Sequence, residues 1–163
     1  MIAAAYSVLR SPAAVDATVV LTEQVTALLG TGEVNVGRLC ASCGSDRHGR
    51  PWARIDGRDV PVSLSRTAEH LLTVVAPEAV AVGVDVEPVD REWPAELVLA
   101  PSETADSDRA LARVWVAKEA ILKAYGTGLT RPMDELVVAD FAGTLDYLDA
   151  PEGHVAAVAL LLR

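Results

Sequence analysis

The sequence predicts an α+β fold made of two unequal α/β halves that meet near residue 77. The first observation is composition: 51% of the 163 residues are hydrophobic and 23% are charged, which is typical of a folded domain. The second is that strand-like segments are interspersed with two helix-like segments. The third is the break at Pro77-Glu78-Ala79. We therefore expect an abbreviated N-terminal half, residues 1–76, and a C-terminal half, residues 77–163.

Periodicity predicts the individual elements. Residues 16–29 form an amphipathic pattern that places Val19, Val25 and Leu28 near one face, and Gly30 ends the helix. A second helix is predicted over 107–125, before Gly126 and Gly128. Glycine, serine, aspartate and proline make 40–52 a loop. Alternating or continuous apolar residues predict strands at 33–39, 60–64, 71–76, 80–87, 136–138 and 155–162.

Charge and apolar patterning exclude several classes of protein. The net charge of −9 argues against a general nucleic-acid-coating role. No apolar stretch approaches the length of a membrane span, and the first residues lack a basic segment followed by a long apolar run. Two cysteines cannot form a disulfide framework. We expect a cytoplasmic protein without nucleic-acid or membrane partners.

The two carboxylates near the centre of the chain share one face of a strand. In the segment VAVGVDVE, alternation puts four valines on one face and Gly83, Asp85 and Glu87 on the other. Adjacent carboxylates repel unless one is protonated or a cation lies between them. The segment is therefore either a solvated strand face or a site for a hard divalent cation such as Mg²⁺.

The second helix places a lysine within its apolar stripe. Lys118 lies at the centre of that stripe, and Glu119 and Lys123 lie at its edge with i, i+4 spacing. These are the only two lysines among 14 basic residues, which indicates that both positions need an ammonium group. Glu119 and Lys123 alone fit an ordinary helix ion pair, but with Lys118 they resemble parts of a phosphate site. The stripe consists of Leu111, Val114, Trp115, Ile121, Leu122 and Tyr125.

Together these segments resemble the paired signature of the 4′-phosphopantetheinyl transferases. The two motifs are GVDVE and WVAKEAILKAYGTGL, and the upstream HGRP and VSLSRT segments also resemble segments of the family. The resemblance runs from about Cys40 to Leu136 and is closest to the surfactin-synthetase-type subfamily. It implies a fold whose two halves are related by pseudo-two-fold symmetry, with the metal and catalytic motifs in residues 77–163.

The resemblance also implies a reaction. Such enzymes transfer the 4′-phosphopantetheine arm of coenzyme A to a serine of an acyl- or peptidyl-carrier protein and release adenosine 3′,5′-bisphosphate. By this likeness Asp85, Glu87 and Glu119 hold Mg²⁺ against the pyrophosphate. Glu119 takes the serine proton, directly or through water, and Lys118 and Lys123 neutralise growing negative charge.

Three further residues are implied to bind coenzyme A. Arg50 of HGRP matches a basic residue that contacts a phosphate, and Ser65 and Arg66 match a Ser-His pair that holds the 3′-phosphate. Arg66 stands where the family usually has histidine, and arginine also binds phosphate well. The expected partners are coenzyme A and a carrier protein, with the chain a monomer or weak homodimer.

The main alternative is a protein that resembles these transferases but does not catalyse the transfer. The chain lacks the Arg/Lys-rich segment expected near the amino terminus of surfactin-type relatives. It is therefore either a small active enzyme, an enzyme completed by a partner, or a catalytically silent binding subunit or regulator. A general Mg²⁺-dependent nucleotide hydrolase fits the acids but not the helix motif.

One further cluster falls outside the resemblance. Cys40-x-x-Cys43 with His48 supplies three possible zinc ligands, whereas a structural zinc site has four. A loop with two free thiols is the expectation.

Overall fold

The computed structural model describes residues 6–163, so residues 1–5 of the predicted N-terminal half lie outside the described part. Within that range no helix is long and apolar enough to cross a membrane. The helices are α1 (Ala17–Leu29), α2 (Ala95–Val98) and α3 (Asp108–Tyr125). The strands are β1 (Ser7–Pro12), β2 (Val34–Leu39), β3 (Arg50–Ile55), β4 (Arg58–Val60), β5 (Val62–Arg66), β6 (His70–Val75), β7 (Ala81–Pro88), β8 (Thr144–Leu148) and β9 (His154–Leu161).

The strands form three small antiparallel sheets. Their orders are β1-β6-β5, β2-β3-β4 and β7-β9-β8. Helix α3 packs on β7 and β9, whereas α1 packs on β2 and β6. Strand β5 lies against β7, which brings the first and third sheets together. The predicted mixture of helices and strands is confirmed. The boundary at residue 77 and the symmetry between halves stay predictions.

The first predicted helix is confirmed, but its predicted buried face is partly wrong. Asp16 caps α1 by accepting a hydrogen bond from the Thr18 N–H at 2.8 Å. Val19 and Leu28 are 51% and 40% exposed. Gln24 occupies the buried face, where its amide donates to the Ser7 carbonyl and accepts from the Thr73 hydroxyl. The buried face consists of Ala17, Val20, Leu21, Gln24 and Val25, so Val25 alone of the three predicted residues belongs to it.

Several strand predictions need correction. Residues 136–138 do not form a strand. Short 3₁₀ turns at Met133–Glu135 and Val138–Asp140 occupy this region. The loop predicted over 40–52 ends at residue 49, since β3 begins at Arg50. The sequence patterns also missed β1, β3 and β8, which are short and mostly exposed or partly buried.

The valine face of β7 lies in the core. Val82, Val84 and Val86 are buried in a cluster with Leu72 and Val74 from β6 and apolar residues of β9. Val80 precedes the strand and is 56% exposed, contrary to the prediction that it lies in the core. Burying the three valines on one face turns the alternate residues of β7 toward α3 and β5.

Gly83 allows α3 to approach β7 closely. A Cβ at this position would overlap the carbonyl oxygen of Ala120 and lie 2.8 Å from the Cβ of Lys123. We expect Gly83→Ala to lower the free energy of unfolding by about 1–3 kcal/mol, because the helix must move off the strand. Denaturant unfolding of the two proteins measures this difference. An unchanged midpoint would contradict the packing described.

Candidate functional site

An open cleft of about 640 Å³ lies where β5, β7 and the second half of α3 meet. The loop before β3 and the turns after α3 form its other walls. Clefts of this size suit small-molecule ligands. It is lined by seven of the eight predicted site residues, namely Arg50, Ser65, Arg66, Asp85, Glu87, Glu119 and Lys123.

Asp85 is held rigidly in the floor of the cleft. Its side chain is almost fully buried, and its Oδ1 accepts hydrogen bonds from the Ser65 hydroxyl and from the Lys123 ammonium, both at 2.7 Å. Its Oδ2 is buried without a hydrogen-bond partner among residues 6–163. A buried carboxylate oxygen without a partner is unfavourable unless a ligand or cation satisfies it.

Two serines connect β5 to β7. The Ser63 Oγ accepts from the Val84 N–H at 3.1 Å, and the Ser65 Oγ accepts from the Val86 N–H at 3.3 Å. The Ser65 hydroxyl proton is used in its bond to Asp85. Ser65 therefore positions Asp85, and its contact with the 3′-phosphate stays a prediction.

Glu87 and Glu119 complete a group of three carboxylates. Burial and the charge of Asp85 raise the pKa of Glu87, although Arg91 opposes the shift. Burial raises the pKa of Glu119 to about 7, with Asp85 and Glu87 adding to the effect and Lys123 opposing it. Three carboxylates whose charges interact in this way favour either a bound proton or a bound cation.

The residues of the cleft fit a hard divalent metal ion. Asp85 offers an unpartnered buried oxygen, and the neighbouring Glu87 and Glu119 supply further oxygen ligands. Mg²⁺ is bound in proteins by one or a few carboxylates together with phosphate oxygens and water. The cleft is large enough for such phosphates. The arginine and lysine side chains that line it would attract their negative charge.

Lys123 lies beside the carboxylates and faces the cleft. Its Nζ donates to the Val84 carbonyl at 3.0 Å and to Asp85 at 2.7 Å. An ammonium group has three N–H donors, so one is left for a ligand. The position that the helix spacing predicted for Lys123, at the edge of the buried face, brings it into the site.

The structure places Lys118 outside the cleft. Its side chain is fully buried on the other side of α3, and its Nζ forms an ion pair with Glu103 at 2.5 Å. The same Nζ donates to the carbonyl groups of Val98 and Met133 at 2.6 and 2.9 Å. All three N–H donors are therefore used inside the protein, and Lys118 does not reach the ligand that the sequence motif suggested.

The arginines lie at the rim of the cleft. Arg66 uses its guanidinium to hold the turn before α1, donating to the carbonyl groups of Ala13 and Val15. Arg50 is exposed and lies beside Gly126, at the C-terminal end of α3. Arg38 also lines the cleft and was not singled out from the sequence. The pairing of β2 with β3 places Arg38 opposite Pro51, and its guanidinium donates to the Gly49 carbonyl at 3.1 and 3.2 Å, next to Arg50.

Comparison with known proteins identifies one part of the chain. No curated protein matches the sequence. Residues 81–157 match the model of the 4′-phosphopantetheinyl transferase superfamily. This region includes the three carboxylates of the cleft and both lysines, while Arg50, Ser65 and Arg66 lie before it. The matched segment runs from β7 into β9, and the match supports phosphopantetheine transfer as the general activity.

Proposed function

We propose that the chain transfers the 4′-phosphopantetheine arm of coenzyme A to a serine of an acyl- or peptidyl-carrier protein in a Mg²⁺-dependent reaction. The observation that carries this proposal is the unpartnered buried oxygen of Asp85 beside Glu87 and Glu119, in the cleft that Lys123 and Arg50 also line. These acids belong to the segment that matches the transferase superfamily. The surfactin-synthetase-type subfamily is part of the proposal.

The reaction moves one phosphoryl group with its pantetheine arm. The serine oxygen of the carrier protein forms a bond to the phosphorus that carries pantetheine, and the bond from that phosphorus to the bridging oxygen of the pyrophosphate breaks. The bridging oxygen leaves with adenosine 3′,5′-bisphosphate. When bound, Mg²⁺ supplies neutralisation of the negative charge on the phosphate oxygens.

Glu119 is the base that we assign to the serine proton. In the metal-free protein, burial raises its pKa to about 7, which makes this carboxylate a stronger base than an exposed glutamate. It projects from α3 on the side that faces the cleft, next to Asp85 and Glu87. In this proposal the Glu119 carboxylate both binds the metal and receives the proton of the attacking serine hydroxyl.

The basic side chains bind the anionic parts of coenzyme A. We assign Lys123 to the pyrophosphate because its remaining N–H donor lies next to the carboxylates. Arg50, at the rim, is assigned to the more distant phosphate, and Arg38 holds the backbone before it through the Gly49 carbonyl. Arg66 lines the same cleft, and its contacts with the turn before α1 make it a positioning residue in this account.

A catalytically silent binding subunit or regulator is the second candidate. The observation that favours it is that Ser65 and Lys118, both expected to contact coenzyme A, make their hydrogen bonds within the protein instead. Such a protein would bind coenzyme A without transferring its arm. Binding and transfer therefore have to be measured separately.

Calorimetric titration of coenzyme A into the chain tests the binding step of the proposal. We expect binding with Mg²⁺ present and at least about tenfold weaker binding after chelation, because the carboxylates then repel the pyrophosphate. Asp85→Asn should weaken binding in Mg²⁺ similarly. Asp59→Asn is the matched control, since Asp59 is exposed and pairs only with Arg54 among the described residues. Binding that is insensitive to chelation and to Asp85→Asn would contradict the assignment.

Mg²⁺ should stabilise the chain more at alkaline than at acidic pH. Because the pKa of Glu119 is raised on folding, the protonated carboxyl favours the native state, and metal-free stability falls as pH rises through about 7. Mg²⁺ requires the deprotonated carboxylate, so its affinity rises over the same range. Thermal unfolding with and without Mg²⁺ at about pH 6 and about pH 8 measures this. An equal increase in Tm at both values would contradict the prediction.

A further inference from the structure

The loop before β3 brings together three side chains that the proposed transfer reaction does not use. The Sγ atoms of Cys40 and Cys43 and a ring nitrogen of His48 all lie within 4.8 Å of one another. The Sγ of Cys43 is 3.4 Å from the Nε2 of His48. Both cysteines are free thiols.

The distance between Cys43 and His48 matches that expected in a tetrahedral zinc site. With a Zn–S bond of about 2.3 Å and a Zn–N bond of about 2.0–2.1 Å, tetrahedral angles place sulfur and nitrogen about 3.5 Å apart. The observed 3.4 Å between Cys43 and His48 is close to that value. Thiolate and imidazole are ligands that select zinc over the hard Mg²⁺ ion.

A turn at Gly44 shapes the backbone between the two cysteines. The backbone N–H groups of Cys43 and Ser42, followed by the side chains of Cys43 and His48, lower the pKa of the Cys40 thiol to about 7. The Gly44 N–H donates to the Cys40 carbonyl at 2.8 Å, and Gly44 has a φ of +69°, which is unfavourable for other residues. The turn therefore holds both cysteines on the side where His48 lies.

We propose that Cys40, Cys43 and His48 bind a zinc ion, with the fourth coordination position left to water. Cys43 and His48 are exposed, so solvent reaches that position. Binding releases the thiol protons and leaves the imidazole neutral. The ion restrains the loop. Ala41 and Ser42 of this loop line the cleft, and the loop leads directly into Arg50. The zinc site does not depend on the proposed transfer activity.

Cobalt substitution tests the site directly. The reduced, chelator-treated chain is titrated with Co²⁺, which gives thiolate-to-cobalt charge-transfer bands and strong visible bands when bound tetrahedrally by sulfur. We expect one Co²⁺ per chain with these bands, their loss on adding Zn²⁺, and no effect of excess Mg²⁺. Absence of thiolate bands in the folded protein would overturn the proposal. So would a Cys40–Cys43 disulfide that persists in reductant.

Variants separate this cluster from a second group of possible ligands. Glu69, His70 and His154 also have ligand atoms within 4.8 Å of one another. We expect Cys43→Ser and His48→Asn to weaken Co²⁺ binding by at least about tenfold, the loss that removal of even outer-shell partners produces. His70→Asn should leave the affinity and the spectrum unchanged. Unchanged binding in the first two variants, or its loss in His70→Asn, would overturn the assignment.

Protection of the wild-type thiols provides a test that needs no variant. Zn²⁺ should slow alkylation of both Cys40 and Cys43, measured by mass spectrometry, and should slow amide hydrogen exchange in residues 40–49. Equal alkylation rates with and without Zn²⁺ would overturn the proposal, whatever the stability of the variants.

Discussion

Glu119→Gln is expected to reduce phosphopantetheine transfer by at least about 10²-fold, with losses up to about 10⁴-fold typical for removal of a general base. Glutamine cannot accept the serine proton, and it is a weaker ligand for Mg²⁺. The rate of mass gain by a carrier protein measures the loss. Glu96→Gln is the matched control, because Glu96 is exposed on α2.

The same variant should not be less stable than the wild-type chain. Since folding raises the pKa of Glu119, its ionised form destabilises the native state above pH 7. Removing the charge should therefore maintain or increase the free energy of unfolding at about pH 8 in the absence of metal. Normal transfer by Glu119→Gln would contradict the site assignment. A loss of transfer accompanied by unfolding would contradict the proposed electrostatics.

Lys118→Met is expected to lower the free energy of unfolding by about 3–5 kcal/mol, the cost of leaving one charge of a buried ion pair without its partner. The affected partner is Glu103, whose carboxylate also accepts from the Ala100 and Val138 N–H groups at 2.9 and 2.8 Å. Lys118 and Glu103 together connect α3 to the segments on either side of it. Urea unfolding measures the change.

Two companion measurements test why Lys118→Met destabilises. Arg54→Met removes an exposed pair with Asp59 and should cost less than about 1 kcal/mol.

Burial raises the pKa of Glu103, but the bonds from Lys118 and the two backbone N–H groups outweigh it and lower the pKa overall. The contribution of Glu103 to stability is therefore present above its unfolded pKa and lost as pH falls through the folded pKa. Wild-type stability of Lys118→Met, with coenzyme A binding abolished, would contradict the structural role.

The acids of the cleft were predictable because local periodicity determines which side chains share a face. Alternation in β7 places Asp85 and Glu87 on the face away from the buried valines, and i, i+4 spacing puts Glu119 and Lys123 together on α3. The motif supplied the expectation that the strand and the helix face each other. The close approach at Gly83 accounts for it physically.

Lys118 shows what periodicity cannot provide. The helical pattern predicted that it is buried, and it is, but a pattern on one helix does not say which element packs over that face. Glu103 lies in an irregular segment between α2 and α3, where spacing carries no information about contacts. The three contacts of Lys118 come from Val98, Glu103 and Met133, which are 15 to 20 residues away in the chain.

Pairing between residues distant in the sequence also determines which strands are neighbours in the sheets. Strands β6 and β7 are consecutive in the sequence, but the Val80 N–H donates to the Leu161 carbonyl and β7 pairs with β9. The proximity of Cys43 to His48 likewise depends on the turn at Gly44 rather than on spacing alone. Arg38 enters the cleft only through the register of β2 with β3. For β7 and for Arg38 the partner lies too far along the sequence for a local pattern to indicate it.

Intact-protein mass spectrometry of apo carrier proteins tests the central claim most directly. A panel of acyl- and peptidyl-carrier proteins is incubated with the chain, coenzyme A and Mg²⁺, with a chelated sample and the Glu119→Gln protein alongside. We predict a mass gain of one phosphopantetheinyl group on at least one carrier, lost on chelation, restored by added Mg²⁺ and strongly reduced with Glu119→Gln. No gain on any carrier, from a folded chain that binds coenzyme A, would contradict the transferase and support the silent subunit.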